Sequence, residues 1–145
     1  MKTYRHILLA TDCAADSEAI REHTVALAAG LGADISLLKV LEHLPQDVPN
    51  EPVPPEDVDK IEWFTGRALD ELREYAQGGG ISADRASVVV TTDSPEQEIS
   101  RFVKSNDVDL VVVGAHERHG LALFQGRTTD KLIHNAPCDV LVVHI

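Results

Sequence analysis

Five short apolar runs divide the chain, and each has the length of a β-strand. They lie at residues 7–10, 35–41, 88–90, 110–113 and 140–143. Three of the runs are almost continuously hydrophobic instead of alternating, which is typical of strands buried on both faces of a parallel sheet. The pattern therefore predicts five parallel strands.

Amphipathic helical patterns lie between these runs, and local signals mark their ends. Gly32 is a stop signal for the first helix, and the three glycines at 78–80 end the second. Ser94 followed by Pro95 is an N-cap signal for the third helix, and the fourth is predicted at residues 128–135. The residues predicted to face the core are Ile20, Thr24, Leu27, Ala28 and Leu31, then Ile61, Phe64, Ala68, Leu72, Tyr75 and Ala76, then Ile99, Phe102 and Val103, and finally Leu132 and Ile133.

This alternation of strands and helices predicts an α/β fold. Right-handed crossovers give a doubly wound five-stranded parallel sheet with helices on both faces. The length of 145 residues suits a single domain that spans residues 1–145. The acidic, proline-rich stretch at residues 40–57 is predicted to be an extended surface excursion without regular structure.

In open sheets of this kind, ligands bind beyond the carboxyl ends of the strands. The segment after the fourth strand carries the strongest signal, because Gly114 permits a close approach of the backbone to a ligand. Gly126 then precedes the hydroxyl residues Thr128 and Thr129 at a helix start, where free N–H groups favour an anion. The alternative is a glycine turn followed by an ordinary N-cap at Thr128.

The charge and the apolar content of the chain argue against several classes of ligand and partner. The net charge of −11 argues against nucleic acid and against anionic membrane surfaces, and no apolar run approaches the length of a membrane span. The polar start at residues 1–6 lacks the apolar region of a secretory signal, so we expect a cytoplasmic protein. Cys13 and Cys138 form no metal-binding spacing, and Cys138 is predicted to be a small core residue.

Each candidate set of catalytic or metal-binding residues in the sequence lacks a required member. His116 and His119 are the only histidine pair close to the predicted anion site, and a metal site would need further ligands. A hydrolytic triad of Asp12, Ser94 and His116 lacks a nucleophile elbow. A phosphoacceptor receiver domain is set aside because no lysine follows Val143. We therefore predict no catalytic residues and no metal site of the protein's own.

Three stretches give the chain a resemblance to a known family. Residues 7–12 read ILLATD, residues 107–114 read DVDLVVVG, and residues 136–143 read APCDVLVV. Together they resemble the universal stress protein family over almost the whole chain. The resemblance implies a Rossmann-like, adenine nucleotide alpha hydrolase-like fold and a regulatory or protective role in the stress response.

Nucleotide-binding members of that family carry G-x-x-G, eight or nine further residues, and then G-[ST]. Gly114 and Gly126 match the first and third glycines, whereas Glu117 replaces the second and Arg127 replaces the small hydroxyl residue. The resemblance implies ATP or AMP as the ligand, with Mg²⁺ present only where the nucleotide carries it. The implied nucleotide-binding residues are Ala10, Thr11, Asp12, Val40, Leu41, Gly114, His116, Glu117, Gly126, Arg127, Thr128 and Thr129.

The two departures from the motif act in opposite directions. A carboxylate at Glu117 that lies about 4 Å from a phosphate charge costs about 1 kcal/mol in water and about 4 kcal/mol at a partly buried site. If the backbone there needs a positive φ, the side chain adds about 1–2 kcal/mol. The guanidinium of Arg127, by contrast, can hold a phosphate through two parallel hydrogen bonds, or pair with Glu117 instead.

The resemblance also bears on partners and activity. In the family the final strand commonly pairs across a dimer, which implies a homodimer through Val140, Val142 and Ile145. The alternative to a regulatory protein is a slow ATPase or a related nucleotide-using enzyme. Adenylating relatives carry Ser-Gly-Gly-x-Asp-Ser after the first strand, whereas residues 11–17 contain no glycine.

Overall fold

The computed structural model describes residues 3–11, 17–42, 53–115 and 126–144. For Ala115 and for residues 126–128 the description covers the backbone alone. The predictions that concern Asp12, Cys13, His116, Glu117, His119 and Ile145 lie outside the described residues.

Five strands form one parallel sheet. They are β1 (His6–Ala10), β2 (Asp34–Leu41), β3 (Ala86–Val90), β4 (Leu110–Ala115) and β5 (Asp139–His144). Their order across the sheet is β3-β2-β1-β4-β5, and every neighbouring pair is parallel. The central strand β1 therefore lies between β2 and β4, and the predicted doubly wound fold is confirmed.

Within the described residues, four helices connect the strands. They are α1 (Ser17–Leu31), α2 (Lys60–Gly78), α3 (Pro95–Ser105) and α4 (Gly126–Asn135), and a short 3₁₀ turn that was not predicted (Ala83–Arg85) precedes β3. Because α4 begins at Gly126, Thr128 lies inside the helix, and the alternative that made Thr128 the N-cap is wrong. The predicted excursion also begins too early, since pairing with β3 keeps Val40 and Leu41 in β2.

The sheet has a separate hydrophobic core on each face. Alternate residues of β1 enter opposite cores, because successive side chains of a strand point to opposite faces. The core under α1 and α2 contains Ile7, Leu9, Ile20, Ala28, Leu37, Leu72, Tyr75, Ala76, Ile81, Ala86, Leu110 and Val112. The core under α3 and α4 contains Leu8, Ala10, Leu38, Ile99, Val103, Val108, Val111, Val113 and Leu132. Each large side chain buried there stabilises the fold by about 1.5–3 kcal/mol.

Two residues that the helical pattern placed in the core are exposed. Ile61 is 52% exposed because it lies in the first turn of α2, ahead of Phe64, the first buried residue of that helix. Ile133 is 53% exposed because α4 buries Thr129 and Leu132, and the next residue is turned by about 100° from that stripe. The helical period specified the face of each helix but not where the underlying sheet ends.

Hydrogen bonds close the amino edge of the sheet. The ring nitrogens of His6 lie 2.8 Å from the carbonyl oxygen of Asn106 and 2.7 Å from the hydroxyl of Ser36. In the neutral ring, Nδ1 donates to the carbonyl and Nε2 accepts from Ser36, because a carbonyl oxygen only accepts. Asp109 accepts from the backbone N–H groups of Arg5 and His6. The start of β1 is thereby joined to β2 and to the end of α3.

Two glycine substitutions test the helix boundaries in opposite directions. We expect Gly66→Ala to raise the free energy of unfolding by about 0.5–1 kcal/mol, because alanine favours a helix interior. An added Cβ at Gly66 meets no described atom within 4 Å. We expect Gly32→Ala to lower it by about 1–2 kcal/mol, because Gly32 has φ +67°.

Urea unfolding of both variants and the wild type measures these changes. A lower stability for Gly66→Ala, or an unchanged stability for Gly32→Ala, would contradict the boundaries of α1 and α2 described above.

Candidate functional site

The carboxyl ends of all five strands meet at one edge of the sheet. From there the chain leaves β1 through α1 toward β2, and leaves β4 through α4 toward β5 on the other side. Strands β1 and β4 are neighbours, so the connections diverge between them. A crevice forms at such a point of divergence, and it is the usual ligand site in sheets of this type.

The central strand β1 is shorter than its neighbours at this edge. Ala10 pairs with Leu38, and the N–H of Thr11 donates to the Leu38 carbonyl at 3.1 Å. Beyond Leu38, β2 continues to Leu41 by pairing with β3 alone among the described strands. Ala10 and Thr11 are 0% and 1% exposed, so they form a closed floor below Val40 and Leu41.

Strand β4 extends past β1 on the other side. Its pairing with β1 ends at Val112, whereas its pairing with β5 continues through Gly114 to Ala115. Among the described residues, β1 therefore ends below β2 on one side and below β4 on the other, which leaves a step in strand length at Thr11. We call this feature the β1 notch. Its walls are two strand spacings apart, about 10 Å, and beyond the level of Thr11 they extend by about 7 Å on β2 and about 3 Å on β4.

The first turns of α4 contribute polar groups beside the β1 notch. The helix begins at Gly126, after the chain leaves β4, so its free N–H groups lie at the carboxyl edge. Thr129 is 7% exposed, and its Oγ1 has no hydrogen-bond partner among the described residues. A buried hydroxyl without a partner costs free energy, so it is typical of a position where a ligand or water completes the bonding.

A hydrogen-bond network fixes the β3–α3 connection at the same edge. The buried Thr91 donates its N–H to the Leu41 carbonyl at 3.0 Å, and its hydroxyl donates to Glu98 Oε1 at 2.9 Å. The same hydroxyl accepts from the N–H of Asp93 at 2.9 Å. Arg101 binds Asp93 at 2.8 Å and also binds Glu98. The network holds the end of β2, and hence one wall of the β1 notch.

Charge pairing shifts two pKa values in this region. The hydrogen bond from Arg101 to Asp93, together with the charges of Glu98 and Asp93, holds the pKa of the guanidinium above its usual range. Burial works to raise the pKa of Glu96, but its own backbone N–H, the Ser94 hydroxyl and Lys131 outweigh burial and lower it. Lys131 on α4 lies 3.3 Å from Glu96 on α3, so this ion pair joins the first turn of α3 to the middle of α4.

The sequence-predicted site residues divide into three groups. The structure places Ala10, Thr11, Val40, Leu41 and Gly114 at the carboxyl ends of the neighbouring strands β1, β2 and β4, and Thr129 near the start of α4. The backbone of Gly126, Arg127 and Thr128 forms the first residues of α4. Asp12, His116 and Glu117 lie outside the described residues.

Sequence reasoning missed the Thr91 network and the Glu96–Lys131 pair. The spacing of Glu98 and Arg101 on one helix face was the only available signal for the network. Nothing in the sequence indicated the Glu96–Lys131 pair, because its partners lie on different helices.

The remaining expectations concern metals, cysteine and membranes. Within residues 3–11, 17–42, 53–115 and 126–144, no three His, Cys, Asp or Glu side chains are grouped as a metal site requires. Cys138 is half-buried and packs against the core under α3 and α4. None of the described helices combines the length and the apolar content that crossing a bilayer requires.

Comparisons with known proteins agree with this architecture. The family model of the Universal stress protein family matches residues 3–144. Universal stress protein A homolog 2 of Coxiella burnetii is 32% identical over 146 residues, which covers 100% of this chain and 98% of the relative. Homolog 1 of the same organism is 27% identical over 140 residues, which covers 97% of this chain and 96% of the relative.

Solved structures show the same fold at lower identity. Universal stress protein UspA from Lactobacillus plantarum superposes with a TM-score of 0.68 at 23% identity, covering 99% of each chain. A universal stress protein solved in complex with cAMP superposes with a TM-score of 0.63 at 18% identity, covering 99% of this chain and 98% of that one. With its family model matched from residue 3 to residue 144, the chain belongs to the universal stress protein family.

Proposed function

We propose that this chain binds an adenine nucleotide, ATP or AMP, in the β1 notch. The observation that carries the proposal is the register of the sheet, which leaves a closed floor at Thr11 between two taller strands. The unpartnered hydroxyl of Thr129 supports it, since it lies near the start of the helix that leaves β4. A family structure with cAMP shows that one protein of this fold accepts an adenine nucleotide.

The residues at the β1 notch fit the parts of a nucleotide. Val40 and Leu41 are half-buried apolar side chains at one wall, suited to contact the base. Gly114 is buried at the end of β4, where the absence of a side chain permits a phosphate to approach the backbone. The free N–H groups at the start of α4 and the hydroxyl of Thr129 would bind phosphate oxygens.

Further contacts are assigned through the family motif. Asp12 follows Thr11 directly and would lie beside the adenosine. His116 and Glu117, after β4, and Arg127 and Thr128, in the first turn of α4, would surround the phosphates. Mg²⁺ would enter only with the nucleotide phosphates.

We propose a regulatory or protective role in the cytoplasm, with the nucleotide as a signal and not as a substrate. A slow ATPase is the alternative. Release of phosphate from ATP above the background rate, lost in a variant that no longer binds ATP, would favour the ATPase.

Thr129→Val tests whether the buried hydroxyl contacts the ligand. Valine keeps the shape of threonine but removes Oγ1, so we expect ATP affinity to fall about 3- to 10-fold, as for the loss of one hydrogen bond. Titration calorimetry measures the affinity. Thr65→Val on α2 is the matched control, because Thr65 Oγ1 is also buried without a partner among the described residues.

Both valine variants should unfold at temperatures equal to or above that of the wild type, since neither hydroxyl has a described partner to lose. Equal ATP affinity in Thr129→Val and the wild type would contradict the assignment of Thr129. Absence of any heat of binding in the wild type, at millimolar ATP, would contradict nucleotide binding itself.

The double variant Glu117→Gly with Arg127→Ser tests the two motif departures. We expect it to bind ATP more tightly than the wild type, because it restores the second glycine and removes a carboxylate from the phosphate site. The single variants separate the two effects, and Arg127→Ser alone is expected to weaken binding. Unchanged affinity of the double variant in the same titration would contradict this prediction.

We also propose that two copies associate through β5. This strand is an edge of the sheet, and its apolar residues Val140 and Val142 are only half-buried. An apolar edge strand invites pairing with another chain unless it is covered. Ile145, which follows the described residues of β5 in the sequence, would add a further apolar side chain to the interface.

Val142→Asp tests this association. We expect sedimentation velocity to show a dimer for the wild type at micromolar concentration and a monomer for the variant, because a charge would be buried in the interface. Val89→Asp on the opposite edge strand, packed against the same core, is the control for general destabilisation. A monomeric wild type, or equal dissociation of the dimer in both variants, would contradict the proposed dimer.

A further inference from the structure

Helix α4, whose start is assigned to the phosphates, has few apolar contacts of its own. It has only 10 residues, and among residues 129–135, whose side chains the structure describes, Thr129 and Leu132 alone are buried. A helix of this length is marginal in water by itself, so its position depends on contacts with its neighbours. A contact that ties α4 to the rest of the fold therefore bears on where Thr129 lies.

One such contact is the ion pair between α3 and α4. Lys131 Nζ lies 3.3 Å from Glu96 Oε1. The Glu96 side chain is only 13% exposed, whereas the Lys131 side chain is 52% exposed. One partner is thus shielded from water, and an ion pair holds its partners more strongly there than on an open surface.

Glu96 is a fixed partner for Lys131. It lies in the first turn of α3, where a carboxylate is favoured, and it accepts a hydrogen bond from its own backbone N–H. Burial works to raise the pKa of Glu96, but its hydrogen bonds and the charge of Lys131 outweigh burial and lower the pKa. Glu96 is therefore ionised at neutral pH, and α3 holds its carboxylate in place.

The first turn of α3 is in turn tied to the end of β2. Glu98 follows Glu96 by two residues, so it points about 200° away around the helix. Its Oε1 accepts from the Thr91 hydroxyl at 2.9 Å, and the Thr91 N–H donates to the Leu41 carbonyl at 3.0 Å. This turn thus reaches the β2 wall of the β1 notch on one side and α4 on the other.

We propose that Glu96 and Lys131 are positioning residues for the phosphate end of the nucleotide site, an inference that rests on the proposed function. Their ion pair completes a series of contacts that runs from Leu41 through α3 to α4. The series sets the distance between the wall assigned to the base and the helix that carries Thr129. A helix that is already held in place loses less freedom when a ligand binds to it.

The two partners of the pair separate positioning from a simple effect of charge. If Lys131 acted only through its charge, removing the carboxylate of Glu96 would strengthen the binding of an anionic nucleotide. If the pair positions α4, removing either partner weakens binding. The direction of the change in Glu96→Gln therefore decides between the two roles, because glutamine keeps the size of the side chain and removes its charge.

A second ion pair of the fold supplies the matched control. Glu71 on α2 lies 3.6 Å from Lys39 on β2, on the face of the sheet away from α3 and α4. Glu71→Gln therefore makes the same chemical change at a pair that does not involve α4. Lys131→Met removes the charge and keeps an unbranched side chain, whereas Lys131→Arg is the conservative variant that keeps the ion pair.

Hydrogen exchange followed by mass spectrometry, without nucleotide, tests whether the pair holds α4. We expect Glu96→Gln to accelerate exchange of the amides of residues 130–135 about 2- to 5-fold, as for the loss of one ion pair. The substitution lies outside α4, so the intrinsic exchange rates of those amides stay the same. Glu71→Gln should leave their exchange unchanged. Equal exchange in Glu96→Gln and the wild type would overturn the proposal.

Titration calorimetry with ATP and with adenosine gives the second readout. We expect Glu96→Gln and Lys131→Met to weaken ATP binding about 2- to 5-fold and to leave the binding of adenosine, which has no phosphate, unchanged. Lys131→Arg should bind ATP as the wild type does, because it keeps the ion pair. Glu71→Gln should leave both affinities unchanged.

The outcomes separate this inference from the proposed function. If the wild type binds ATP and Glu96→Gln binds it equally well or more tightly, the positioning role is wrong and the nucleotide site stands. If Glu96→Gln weakens ATP and adenosine alike, or Glu71→Gln weakens ATP as much, the effect is general stability and the positioning role is also wrong. If the wild type binds no ATP, the proposed function and the positioning role both fail, and hydrogen exchange decides only whether the pair holds α4.

Discussion

Strand β1 ends at Ala10, while the pairing of β2 with β3 and of β4 with β5 continues beyond that level. This difference in strand length creates the β1 notch and determines its width, since strand spacing is nearly constant in proteins. It also determines which residues form the walls. The chemistry proposed for the site therefore depends on the register of a sheet whose interior is almost wholly apolar.

The sequence predicted the sheet well because its strands are buried on both faces. Continuous apolar runs leave little doubt about which segments lie inside, and glycine and proline mark the helix ends near Gly32 and Pro95. The errors arose at helix ends, where a sequence pattern does not show where the buried part of the helix, or the helix itself, begins. Ile61 continues the apolar stripe of α2 ahead of the core, and Thr128 has the chemistry of a cap although the helix begins before it.

The sequence predicted the chemical class of the candidate site, an anion site, but not its shape. Gly114 and the hydroxyl residues after Gly126 indicated an anion site, because those residue types act locally. The β1 notch depends on the pairing of Ala10 with Leu38, and a sequence does not state its register. The contact of Arg21 on α1 with Gly78 and Gly79 depends likewise on where α2 ends relative to α1, and the sequence does not indicate it.

The proposed ligand is acidic, as is the chain, so binding it requires that repulsion near the proposed site be limited. At physiological salt, charges are screened over about 8 Å, so the net charge of −11 matters less than the groups at the carboxyl edge. There Arg101 binds Asp93 and Glu98, and Lys131 binds Glu96, so the three carboxylates face two cations. With those charges largely compensated, the positive end of the α4 dipole at Gly126 would favour the phosphate of the proposed nucleotide.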